Sequence, residues 1–85
     1  MTTEELMLVC AVRYALGRQS YIVGTTCEFV AGIKDKLSQN CINIMIKDIE
    51  ESIKYHHSVG RNCGMDIDER NWLNLLDILK GCKNG

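Results

Sequence analysis

No proline occurs among the 85 residues of this chain, and seven glycines supply the punctuation instead. Low-complexity tracts and internal repeats are also missing, which leaves one domain over residues 1–85. Charge of one sign is missing too: 10 Lys and Arg stand against 11 Asp and Glu, for a formal net charge of −1. That balance argues against broad non-specific nucleic-acid binding, which draws its affinity from many basic side chains facing phosphates. The longest mainly apolar stretch is broken by Arg13 and Arg18, so no segment reads as a membrane span. Glu4 and Glu5 stand where a secretory signal would carry its basic region, which predicts a soluble, cytoplasmic protein.

Cysteine is plentiful but unpatterned. The five (Cys10, Cys27, Cys41, Cys63 and Cys82) are odd in number and none form a CxxC pair. Without a secretory signal a disulfide framework is not expected. Cys10, Cys27 and Cys41 lie in apolar helical surroundings and read as small buried hydrophobes.

What is present is helical spacing. The composition is that of a globular protein, and the glycines divide the chain into four helical segments, so the fold class is all-α, a compact four-helix domain. The first helix starts after Thr2 or Thr3, with Thr2 and Glu5 at capping-box spacing, and runs to about Leu16, where Gly17 stops it in a left-handed conformation. Its apolar residues cover nearly the whole circumference, so it is either central to a core or buried partly against another subunit. Ser20 caps a second helix from Tyr21 to about Leu37, although its β-branched start (Ile22, Val23, Thr25, Thr26) leaves a short strand as the alternative. Ser38 caps the third and longest helix, Gln39 to about His57, with a stripe at Ile42, Met45, Ile46, Ile49 and Ile53 and an i,i+4 pair at Glu50 and Lys54. A loop from Ser58 to Met65 follows. Asp66 then caps the last helix, whose buried side is Trp72, Leu73, Leu75, Leu76 and Leu79, and Lys80–Gly81 ends it. The expected core is Val9, Val12, Phe29, Ile42, Met45, Ile46, Ile49, Leu73 and Leu76. A domain this small buries only about 60% of the surface its unfolded chain exposes, which together with the all-round apolar first helix predicts a homo-oligomer.

The segment RYALGRQSY, Arg13 to Tyr21, is the densest candidate for chemistry. From Leu6 to Cys27 the side chains charged at neutral pH are Arg13 and Arg18, with no carboxylate near them in sequence. Two guanidinium forks, Tyr14 and Tyr21 as aromatic platforms, and the N-terminus of the second helix at Ser20 suit a nucleotide phosphate. The ligand-binding set is therefore Arg13, Tyr14, Arg18, Ser20 and Tyr21. The structural alternative pairs Arg13 with an acid of the third or fourth helix and sets Arg18 at the negative end of the first.

Other clusters are thinner. His56 and His57 point roughly 100° apart on a helix, and even with Cys63 they fall short of a four-ligand zinc site, so no metal and no cofactor are expected. Cys63, close to Arg61, has the setting for a lowered pKa, but no acid–base pair accompanies it and no enzyme activity is expected. Gln39, Asn40 and Asn43 could read adenine edges from a helix-turn-helix, with Lys34, Lys36 and Lys47 on phosphates; Asp48, Glu50 and Glu51 on the same helix oppose that.

The RYALGRQSY segment, with the following CEFV and KLSQNCINIMIKDIEE stretches, resembles a family of short phage and prophage proteins with a YALGR-x-S/T-Y core, over Arg13 to about Trp72. The resemblance implies a non-enzymatic counter-defence factor in the cytoplasm of a bacterial host. Some proteins of this kind sequester cyclic nucleotide signals as oligomeric sponges, and others bind and block a CRISPR nuclease. The leading expectation is thus a protein that sequesters a nucleotide-derived signal through the Arg/Tyr pocket. The alternatives are an inhibitor of a host defence protein, working through Asp48, Glu50, Glu51, Asp66, Asp68, Glu69 and Asp77, and a helix-turn-helix regulator.

Overall fold

A computed structural model of the chain describes residues 1–16, 21–58 and 65–81. Four helices form in the expected order: α1 (Thr3–Ala15), α2 (Tyr21–Ile33), α3 (Gln39–Ser58) and α4 (Met65–Leu79). No strand forms among the described residues, and the β-branched start of α2 is helical. Gly17, expected to stop α1, and Ser20, expected to cap α2, lie outside the described residues.

The ends of the helices follow from local chemistry. Thr2 and Glu5 close the capping box: the Glu5 backbone N–H donates to Thr2 Oγ1 at 3.1 Å, and the Thr2 N–H donates to Glu5 Oε1 at 3.1 Å. Two of the N–H groups that a helix start leaves without partners are thereby satisfied. α2 stops earlier than its apolar spacing suggests. After Ile33 the chain tightens into a 3-10 turn over Lys34–Lys36, and Leu37 is extended. Three consecutive residues with two like charges and no buried member have no core to hold them in an α-helix. Ser38 then caps α3, its Oγ accepting from the Cys41 N–H at 3.2 Å. α4 begins at Met65, so Asp66 is inside the helix rather than its cap. At the far end Gly81 adopts φ +71 and donates its N–H to the Ile78 carbonyl at 3.1 Å, the left-handed stop for which glycine carries no Cβ penalty.

α1 and α4 each pack on both α2 and α3, whereas α2 and α3 find their main partners in α1 and α4 rather than in each other. Val12, Ala15, Val23, Val30, Cys41, Met45 and Ile49 are wholly buried, with Trp72 and Leu75 beside them. Each helix contributes a stripe at three- and four-residue spacing, as at Val23, Cys27 and Val30 of α2. Two expected core members, and one cysteine read as a buried hydrophobe, lie elsewhere. Phe29 and Leu73 are 58% and 44% exposed, and Cys10 is exposed. Each directly neighbours a buried residue (Val30, Trp72, Val9) and is therefore turned roughly 100° off the inward stripe. Ile46 is partly buried at the edge of the core.

Candidate functional site

Arg13 occupies the last turn of α1, and its Nε donates to Asp48 Oδ2 on α3 at 2.7 Å. The hydrogen bond to Asp48, then its charge, holds the guanidinium pKa above its ordinary value. The acid that Arg13 lacked in sequence is supplied by the fold from 35 residues away. Tyr14 is next to it and 58% exposed. Arg18, Ser20 and the side chain of Tyr21 lie outside the described residues, so of the five residues in the sequence-based site the structure brings Arg13 and Tyr14 together on one helical turn.

The histidines have separate engagements. His56 Nδ1 lies 2.9 Å from the Ser52 carbonyl, while His57 Nε2 lies 2.8 Å from Glu69 Oε1 and ties the end of α3 to α4. No group of three His, Cys, Asp or Glu gathers as a metal site among the described residues; Cys63 is not among them. Of the side chains considered as adenine readers, Gln39 Nε2 donates to Asn43 Oδ1 at 2.8 Å. Glu50 pairs at 2.6 Å with Lys80, just past the end of α4, rather than along its own helix to Lys54.

Glu5 carries more than the sequence indicated. Its carboxylate is buried and accepts, besides the Thr2 N–H, the backbone N–H of Ser38 at 2.7 Å and the Ser38 hydroxyl at 3.2 Å. Those backbone donors, Ser38 first and Thr2 second, hold its pKa below the ordinary glutamate value against the opposing effect of burial. One carboxylate therefore closes the start of α1 and fixes the residue that caps α3. Burial pushes the nearby Cys41 thiol up, and the charge of Glu5 adds to it; such a thiol stays protonated and inert.

Directly above this junction, an open groove of about 460 Å³ runs between α1 and α2. Leu8, Ile33 and Leu37 contribute to its lining together with Met7, Ala11 and Phe29, and Glu4 and Lys36 flank it. Met7 is 66% exposed, more than any other large apolar side chain described. The outward side of α1 carries Leu6, Met7, Cys10, Ala11 and Tyr14 in exposed positions. The apolar girth of this helix was legible in the sequence; that its outer half stays open beside Phe29 was not. A second, more polar groove of about 700 Å³ lies between α3 and α4, with Lys47, Lys54, His57 and Lys80 around Ile53 and Leu73. No helix of the described residues is long and apolar enough to cross a membrane.

No family model, curated protein or solved structure matches this chain.

Proposed function

We propose that this chain is a non-enzymatic protein-interaction domain whose working surface is the outer face of α1 and α2. The observation that carries the reading is the α1–α2 groove, whose lining includes Met7 and Phe29, each more than half exposed. Methionine and aromatic side chains in a region poor in charge are what the centres of protein interfaces are made of. α1 has one charged residue after Glu5, Arg13, and that one is drawn to Asp48; α2 has one, Glu28. A solvated face would carry more charge. The ionisable groups best placed for chemistry are engaged in holding helices together, as Glu5, Asp48, Glu50 and Glu69 are, which supports binding without catalysis. In the phage setting that the RYALGRQSY resemblance implies, such a surface would serve a counter-defence factor that works through a protein–protein contact.

The test is capture from a bacterial extract by the intact chain and by Met7→Asp and Phe29→Asp variants, with Tyr55→Ala, an exposed position outside the groove, as control. Both groove variants should lose the captured partner while the control keeps it. Charge reversal at Glu50 and Glu51 should leave capture intact; loss there instead would move the working surface to the acids of α3.

A nucleotide-sequestering role is favoured by one observation: Arg13 remains 58% exposed despite its ion pair, next to the exposed Tyr14. If that reading holds, a panel of cyclic and linear nucleotides will raise the melting temperature of the chain, and Arg13→Ala will abolish the rise. Persistence of the rise in Arg13→Ala would leave the arginine with its structural task at Asp48.

A further inference from the structure

Resting on the interaction reading above, we infer that the occupant of the α1–α2 groove is a second copy of this chain, docked about a two-fold axis. The rim of the groove carries one acid and one base on opposite walls, Glu4 on α1 and Lys36 at the end of the turn after α2. Neither makes an ion pair within the chain among the described residues. A partner of a single charge sign would leave one of them unanswered. A second copy answers both, because an isologous interface repeats every contact in reverse.

The geometry is specific. A two-fold axis running along the groove sets α1 of one copy over α2 of the other. Glu4 then faces the partner's Lys36 while Lys36 faces the partner's Glu4. Phe29, which stands out from α2, meets the partner's Met7 and Ala11, and the reverse contact repeats it. Protrusion and depression are thus on the same face, which is the condition for a surface to complement itself. Gly32, one turn beyond Phe29, is exposed and has nothing of its own chain within 4 Å of where a Cβ would stand. Gly32 is next to last in α2, no packing inside the chain requires a glycine there, and the bare backbone leaves room for the helix of a neighbour. A standard interface takes about 800 Å² from each partner, roughly a seventh of the 5528 Å² this chain exposes.

Sedimentation equilibrium on the whole chain tests the proposal through a charge swap. The unaltered chain dimerises, and Phe29→Asp leaves a monomer with unchanged helical circular dichroism. Glu4→Lys and Lys36→Glu each turn two attractions into two repulsions and weaken the dimer by about tenfold. The double variant restores both pairs and brings the affinity back. A lysine near the start of α1 also opposes the helix dipole, but that cost is present in the double variant as well, so recovery there comes from the pairing. A chain that is monomeric at submillimolar concentration overturns the inference. So does a dimer indifferent to Phe29→Asp, or a double variant no tighter than the single ones. A monomer that still captures a protein through Met7 and Phe29 removes the second copy as occupant and leaves the interaction reading standing. A chain that neither dimerises nor captures loses both.

Discussion

Glu5 is the residue on which most of the polar organisation converges. It accepts from Thr2 and Ser38 as a carboxylate, and protonation would replace one of those acceptor sites with a donor facing donors. Since its folded pKa lies below the unfolded value near 4.5, it contributes stability above that value. The contribution is lost as pH falls through the ordinary carboxylate range and below. Denaturant midpoints of the unaltered chain should therefore drop on acidification. Glu5→Gln should start from a lower midpoint at neutral pH and show a shallower drop; an acid dependence as steep as that of the unaltered chain would assign it to other carboxylates. Half of this role could be read from the sequence, because Thr2-x-x-Glu5 is a local spacing with a local mechanism. The other half joins residues 33 apart, and nothing in the neighbourhood of Ser38 announces a buried carboxylate. The same holds for Arg13. Its isolation from acids was legible, an acid of α3 or α4 was one of the two readings, and the identity of Asp48 needed the fold.

At the scale of the element, the boundaries that came out as expected are those set by a single side chain or by a missing one. Ser38 and Gly81 are the plainest. Ser38→Ala removes the hydroxyl that accepts from the Cys41 N–H and donates to Glu5, and should destabilise the protein by about 1 kcal/mol, the usual cost of deleting a serine cap. Gly81→Ala should cost about 1–2 kcal/mol, since a Cβ is unfavourable at φ +71. The nearest atom to the new methyl, Lys34 Nζ at 3.9 Å, is at ordinary contact distance, so the cost is conformational and Gly81→Asn should recover part of it. Equal stability of Gly81→Ala and the unaltered chain in urea would refute that account. Boundaries set by the absence of a core were harder. α2 reads as continuing to Leu37 by apolar spacing, yet Lys34–Lys36 has no buried residue and winds into a 3-10 turn. That turn sets Lys36 at the edge of the groove.

For the whole molecule, helical spacing located all four helices but left the facing of some residues open. An apolar side chain one position away from the inward stripe satisfies a sequence pattern nearly as well as one on it. Phe29 and Leu73 are such cases, and the groove exists because Phe29 turned outward. The distinction has a measurable consequence, since burial rather than hydrophobicity decides the cost of truncation. Ile49 is wholly buried on the central stripe of α3. Ile49→Ala should cost about 3 kcal/mol through lost transfer energy and the cavity left behind. In a domain of this size that corresponds to a fall of roughly 15 °C in melting temperature. Leu73→Ala removes an apolar side chain of equal size, but one that is 44% exposed at the α3–α4 groove. Water already reaches it, little cavity forms, and the cost should stay under about 1 kcal/mol. The sequence alone placed both residues in one core and would have them cost alike. Comparable losses in the two variants, measured by thermal denaturation at one protein concentration, would return Leu73 to the core. A difference of about 2 kcal/mol or more would fix the inward faces of α3 and α4 as described.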